Sequence, residues 1–514
     1  MSSDVPMASK QVRGRAAISA PRGIRYGIGC ETHYLQTSAR PRAHLGLHEP
    51  PCGGAMKIPE IIVVRTVHRP GSLARVLNVL GEAGIVVEGL TARKRDHEHT
   101  VWEISVDVDA ESNLDLAGAI DALDNAEVLG KSDRVFNRHR GGKIQVQSRQ
   151  PVQSLEMLRD VYTPGVARVC LALAEDPQCT KEFTALGRTV AIATNGTAIL
   201  GLGDIGPVAG MPVMEGKAAL MSELAGLSGV PLLVERRDVE GFVEAVAAVS
   251  ASFGAIQLED VAAPECFDIE AAWVERRNKP VMDDDRHGTA VVVLAGLLSA
   301  ARAVDFDLSA SVIGQVGLGA AGIGICELLQ HYGVSGLLGA DLDPRARQRL
   351  ERLGGRPAEL ERIMQEADVV IATTGVKNLI RPEMIRPGQV IFALSNPEPE
   401  IEPEAALARG ARFATDGKIV NNVLGFPGIF RGALDADAPR ITVEMLLAAA
   451  DALSARATAD SLVPDPLELE VHAAVARAVA AAGPQVPPRR PCPRAHRTAA
   501  LAAATPMPAV SRVF

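Results

Sequence analysis

The chain has 514 residues, 47% hydrophobic and 22% charged, a globular composition too long for one ordinary core, which predicts two to four domains. A net charge of -9 and a pI near 5.8 argue against a nucleic-acid partner, and no apolar run reaches the roughly 20 residues that span a bilayer. The seven cysteines (Cys30, Cys52, Cys170, Cys179, Cys266, Cys326, Cys492) form no CxxC pair, so free thiols in a cytoplasmic setting are expected rather than a disulfide framework.

Residues 1–55 hold seven Lys/Arg against three acids, with Pro and Gly throughout and no sustained period. Such a stretch buries too little apolar area to offset its ordering entropy, so 1–56 is predicted to be a disordered leader. It lacks the apolar segment of a secretory signal, and Met56-Lys57, directly before a strand, is the expected natural start. Glu60–Thr66 reads as a buried strand. A helix follows, with Leu73, Val76, Leu77 and Leu80 at helical spacing and Gly81 and Gly84 at its exit. Strands are predicted at Val86–Thr91 and Thr100–Val108, a helix at Leu114–Leu123, and a last strand at Asp133–Asn137. This β-α-β-β-α-β order resembles ACT domains, with Arg69-Pro70-Gly71-Ser72-Leu73 at that family's first strand-to-helix loop. The resemblance implies a ferredoxin-like regulatory domain over 57–140 that takes a small effector, an amino acid or metabolite.

From 141 the pattern changes to helices over Leu155–Ala174 and short Gly-punctuated strands. After Gly288 strands and helices alternate, as in a doubly wound α/β domain. The strand Ser311–Val316 runs directly into Gly317-Leu318-Gly319-Ala320-Ala321-Gly322, and an apolar helix follows over Ile323–Tyr332. The glycines permit a tight turn and close approach of a pyrophosphate to the helix N-terminus. Asp341, 19 residues beyond Gly322, ends the next strand, where a carboxylate accepts from a ribose 2′-hydroxyl and repels a 2′-phosphate. This favours NAD over NADP; Asp343, before Pro344, reads as an N-cap. Two further strands, Ala367–Thr373 and Gln389–Leu394, place Thr373, Thr374 and Gly375 near the cofactor. From Pro484 a Pro-rich and then Ala-rich stretch predicts a disordered tail over 484–514.

Four segments carry most of the chemistry: Tyr162-Thr163-Pro164-Gly165-Val166-Ala167, the stretch from Asn195 to Lys217, Gln257-Leu258-Glu259-Asp260, and Asp283-Asp284-Asp285-Arg286-His287-Gly288-Thr289-Ala290. Together with Leu394-Ser395-Asn396-Pro397 and Asn421-Asn422-Val423-Leu424-Gly425-Phe426-Pro427-Gly428, they resemble malic enzymes of the bacterial type, in that family's order, over about 155–483. The resemblance implies an α/β substrate and metal domain at 141–287 and a Rossmann-like NAD domain at 288–483. It implies NAD-linked oxidative decarboxylation of malate to pyruvate with Mg²⁺ or Mn²⁺, in a homodimer or homotetramer.

By that resemblance Glu259, Asp260 and Asp285 are the metal ligands, hard oxygens suited to a divalent cation that polarises the C2 oxygen of malate. Lys217 takes the hydroxyl proton, with Asp284 as the rival base, and Tyr162 delivers a proton to the enol carbon. A lysine beside a cation and partly buried is expected to have a lowered pKa. Gly317, Gly319, Ala320, Ala321, Gly322, Asp341, Thr373, Thr374 and Asn396 are assigned to the cofactor, and Asn396 and Asn421 to the substrate carboxylate. Two positions depart from the family. Arg286 stands where Gln is usual, and Ala198 stands where larger eukaryotic relatives have a substrate-binding Arg. Arg286 is expected to turn from the metal and pair with Asp283 or Asp284. The alternatives are a malolactic-type enzyme making lactate and a silent NAD and metabolite sensor; the presence of Tyr162, Lys217, Glu259, Asp260 and Asp285 argues against the sensor.

Overall fold

The computed structural model describes residues 57–484 except 110–114, 200, 277–278, 397, 420 and 459–460. The predicted leader, and the predicted tail apart from Pro484, lie outside the described residues.

The first unit comprises β1 (Lys57–Val67), α1 (Ser72–Glu82), β2 (Val87–Arg95), β3 (His99–Asp109), α2 (Leu116–Asp121) and β4 (Ala126–Asp133), with its antiparallel sheet in the order β2-β3-β1-β4. Alternation puts Ile62, Val64, Ile104 and Val106 on one face, where they pack against Val76 and Leu80 of α1 and Ile120 of α2. The expected last strand at Asp133–Asn137 is corrected: β4 comes earlier, and Arg134–His139 is a short helix, α3. Val135 and Phe136, whose apolar side chains prompted the expectation, are exposed.

Next come α4 (Leu155–Val161), α5 (Val166–Glu175), α6 (Thr180–Phe183), β5 (Thr189–Thr194), α7 (Met211–Ala225), β6 (Ser228–Leu233), α8 (Val239–Val249), β7 (Ala255–Leu258), α9 (Glu265–Arg276) and β8 (Val281–Asp283). The four strands form a parallel sheet ordered β6-β5-β7-β8, so their carboxyl ends share one edge. β5 and β7 are buried throughout their interiors, as strands covered on both faces must be, and are apolar apart from Gln257 and the terminal threonines of β5.

A five-residue π-helical turn, Asp284–Gly288, leads into α10 (Thr289–Val304). Together they make a 21-residue helix, long and apolar enough by composition to cross a membrane, its most apolar 18-residue window having a mean hydropathy of 1.5. Of that window 67% is buried inside the protein, as in a core helix.

The remaining sheet is all parallel, ordered β11-β10-β9-β12-β13-β14, from β9 (Val312–Val316), β10 (Gly336–Ala340), β11 (Arg356–Pro357), β12 (Val369–Ala372), β13 (Val390–Ala393) and β14 (Phe413–Asp416). Its helices include α11 (Ala320–Tyr332), α12 (Pro344–Arg352), α13 (Leu360–Glu366) and α14 (Pro403–Ala408). The order reverses between β9 and β12, the position at which doubly wound sheets open a ligand crevice. The last helices, α15 (Phe426–Asp435), α16 (Val443–Ser454) and α17 (Leu469–Ala482), pack on one another, with α15 and α17 also against α7 and α16 against α10. The chain thus returns from the last sheet to the helix that carries Lys217.

Candidate active site

Lys217 is buried because of its place on α7. Met214, Ala218, Met221 and Leu224 form the inward face of that helix, and Lys217 lies among them. A buried ammonium needs partners, and the strand ends supply them. Its Nζ donates to Asp284 Oδ2 at 2.6 Å and lies 2.9 Å from Glu259 Oε1, with the ring of Phe426 on α15 at 4.7 Å. Glu259 and Asp260 follow β7, and Asp284 and Asp285 follow β8. Glu259 is fixed by Gln257, whose Nε2 donates to Oε2 at 2.6 Å, and Asp260 by its own N–H, which donates to Asp285 Oδ2 at 2.8 Å. Asp260 adopts φ 52°, a left-handed conformation that aspartate tolerates better than most residues.

Glu259, Asp260 and Asp285 each present an oxygen within 4.8 Å of the others, and the first two are buried. Burial and the neighbouring carboxylates push Glu259 well above the usual carboxylate range, despite Lys217. Burial likewise lifts Asp284 to about 6 against the pull of Lys217, and its Oδ1 is buried without a hydrogen bond. Such repulsion among hard oxygens fits a site for a divalent cation of the Mg²⁺ or Mn²⁺ kind. The lowered pKa expected of Lys217 is not what the carboxylates alone produce. Burial lowers it, but Asp284, Glu259 and Asp285 outweigh burial and hold it above the ordinary lysine value. A cation among them would offset that pull.

Arg286 turns from this cluster, as expected, but to different partners. Its backbone N–H donates to Asp283 Oδ1 at 3.2 Å; its guanidinium bonds Glu270 Oε2 at 2.7 Å and Glu327 Oε2 at 2.5 Å. The three adjacent acids are relieved separately. Asp283 accepts the Arg286 N–H, Asp284 pairs with Lys217, and Asp285 accepts the Asp260 N–H. Glu270 was not anticipated, although it shares its helix face with buried Cys266 and Trp273, where a carboxylate needs a partner. Burial raises its pKa, but His287, Arg286 and the Asp283 N–H lower it further, to about 2.

In the dinucleotide crevice, Leu318 N–H donates to Asp341 Oδ2 at 2.7 Å, tying the glycine turn to the end of β10. Gly317 has φ 89°, and a Cβ on Gly322 would lie 2.0 Å from Gly317 O, whereas a Cβ on Gly319 would meet nothing within 4 Å. The turn is closed against the protein and open toward a ligand. Gly319, Ala320, Ala321 and Gly322 lie at the start of α11. Thr373 Oγ1 accepts from Gln315 Nε2 at 2.9 Å, and Thr374 bonds Glu400 through both its N–H and its hydroxyl. Gly317, Gly319, Asp341, Thr373 and Thr374 line a cavity of about 420 Å³ with Glu359 and Leu360, two residues the sequence did not single out. Asp343 caps α12 through the Arg345 N–H.

Three assigned residues stand apart. Tyr162 caps the C-terminus of α4 and is 66% exposed; among the described residues its hydroxyl makes no hydrogen bond. Asn396 and Asn421 are exposed as well. Asn396 donates to Gly417 O at 3.4 Å and Asn421 accepts the Val423 N–H at 3.0 Å, so neither side chain bonds Lys217 or the carboxylates.

Family models match three segments: the ACT domain at 61–128, the malic enzyme N-terminal domain at 141–237 and the malic enzyme NAD binding domain at 287–345. NAD-dependent malic enzyme 1 of Bacillus subtilis is 48% identical over 421 residues, 81% of this chain and 96% of that protein. The bifunctional malic/malolactic enzyme of the same organism is 39% identical, over 66% of this chain and 90% of its own. Among solved structures, the NAD-dependent malic enzyme of Thermotoga maritima superposes with a TM-score of 0.64 at 35% identity, covering 68% of this chain and 99% of that one.

Proposed function

The chain belongs to the malic enzyme family, and we infer that it oxidises and decarboxylates malate to pyruvate and CO₂ with NAD as hydride acceptor and a divalent metal bound. The observation that carries this reading is the placement of Lys217 between Asp284 and Glu259, beside the three oxygens of Glu259, Asp260 and Asp285. When bound by those three residues, Mg²⁺ or Mn²⁺ supplies Lewis-acid polarisation of the substrate's C2 oxygen. Lys217 accepts the C2 hydroxyl proton, within reach of Asp284, which holds the ammonium once formed. Gly319 and Asp341 would hold NAD, at its pyrophosphate and ribose, and bound NAD would supply the acceptor for the hydride of C2. Loss of CO₂ leaves an enol, and Tyr162 delivers the proton to its C3. Asn396 and Asn421 bind the substrate carboxylate, with Asn396 also beside the cofactor.

Tyr162 does not meet Lys217 within this chain, which supports a homo-oligomer, a dimer or tetramer. Leu155, Leu158, Val161, Tyr162 and Leu171 are all more than 40% exposed along α4 and α5, an apolar surface that a second copy would cover. In that arrangement each site takes its proton donor from a neighbour. The unit over 57–140 takes a small effector and regulates rather than catalyses, followed by a substrate domain at 141–287 and an NAD domain at 288–483. Cys179, Cys266 and Cys326 are buried and not in disulfides, in keeping with a cytoplasmic protein.

Malate with NAD should give NADH and pyruvate in equal amounts only when Mn²⁺ is present, and NADP in its place should give less reduced cofactor. Lactate without net NADH would assign the malolactic reaction instead.

A further inference from the structure

Arg286 follows a proposed metal ligand directly, yet its guanidinium faces away, with only 16% of the side chain exposed. Its two carboxylate partners come from different parts of the chain. Glu270 lies on α9, in the layer that builds the metal site, and Glu327 lies on α11, the helix whose N-terminus receives the dinucleotide. Glu270 also accepts the Asp283 N–H at 2.9 Å, so one carboxylate holds the start of the metal-bearing turn and one arm of the guanidinium. The backbone is engaged as well. A Cβ on Gly324 of α11 would lie 2.5 Å from Arg286 O, so the dinucleotide helix runs directly against this turn. Phe267 of α9 lies under the guanidinium at 5.2 Å.

We propose that Arg286 is a positioning residue that couples cation binding to NAD binding, by locking the Asp283–Gly288 turn to α11 through Glu327. The proposal rests on the metal and NAD sites assigned above. A planar guanidinium bonds two carboxylates in fixed directions, which a glutamine at this position cannot do with charge. NAD settling at the N-terminus of α11 fixes that helix, and Arg286 transmits its position to Asp285, one residue away. A ligand that orders a shared element lowers the ordering cost for the next, and the resulting linkage is reciprocal. Mn²⁺ must therefore tighten NAD by the factor by which NAD tightens Mn²⁺.

The test uses the full-length protein. Mn²⁺ binding is followed by electron paramagnetic resonance with and without saturating NAD, and NAD binding by calorimetry with and without Mn²⁺. In the wild type each ligand should tighten the other by about fivefold or more, the lower end of ordinary site-to-site coupling. Glu327→Gln, on a side chain 26% exposed, should leave each affinity alone within about threefold and reduce the coupling to less than about twofold. Arg286→Lys, which keeps the charge but not the fork, should do the same while melting as a folded protein. Wild-type coupling retained in Glu327→Gln, or no coupling in a wild type that binds both ligands, would overturn the latch alone. A wild type that binds no Mn²⁺ would overturn the metal assignment and the latch together.

Discussion

At the scale of single residues, Lys217 decides most. Replacing it by alanine removes the proposed base and leaves Asp284 and Glu259 without their shared partner. Lys217→Ala should lower kcat at least about 10²-fold, the range for a lost general base, with a far smaller change in malate KM. A loss below about threefold, in steady-state kinetics on folded protein, would take Lys217 out of the chemical step. The sequence held the signal for this residue, since a lysine between Met214, Ala218 and Met221 sits where a helix normally buries apolar groups. It held less for Arg286. The three acids before it pointed to Asp283 or Asp284 as partners, but the guanidinium reaches Glu270 and Glu327, 16 and 41 positions away in sequence. Adjacent residues on a tight turn project apart, so proximity in sequence misjudged proximity in space.

At the scale of elements, the legible parts were those whose pattern is local. β9, its glycine turn and α11 announce themselves within about twenty residues, and the turn's closed and open sides follow from which glycines have room for a Cβ. β4 was displaced because the expected strand was set at Asp133–Asn137, where Val135 and Phe136 are exposed on a helix, while the strand itself is Ala126–Asp133. Pairing with β1 fixes its position. Glu270 joins α9 to the turn after β8, and its pKa of about 2 lies below the unfolded value near 4.5. A carboxyl depressed on folding stabilises the fold above its unfolded pKa, and that contribution is lost as pH falls through the folded one. Glu270→Gln should therefore destabilise the protein at pH 5 in urea titrations, and by progressively less as the pH falls from about 4.5 toward 2. A penalty independent of pH into that acid range would show that Glu270 acts by packing rather than by charge.

At the scale of the whole molecule, the site is assembled from distant stretches: α7, the ends of β7 and β8, and α15 beneath Lys217. The motifs gave the members, but not the burial of Lys217 against Phe426 or the exposure of Tyr162, which depend on how helices return to one another. If a neighbour supplies Tyr162, two inactive variants should repair each other. Unfolding and refolding Tyr162→Phe with Lys217→Ala in equal amounts should restore roughly a quarter of wild-type activity, since half the dimers are mixed and each has one intact site. A mixture no more active than its components would place Tyr162 and Lys217 of one chain in the same site.

The central claim is that Glu259, Asp260 and Asp285 hold the divalent cation beside Lys217. Titrating the wild type and Asp285→Asn with Mn²⁺, while following bound metal and NADH formation from malate, tests it most directly. The account predicts one Mn²⁺ per wild-type chain, with NADH appearing in step with metal bound, and at least about tenfold weaker binding in Asp285→Asn, worth some 1.4 kcal/mol. Undiminished Mn²⁺ binding in the variant, or full NADH formation by metal-free wild type, would contradict it.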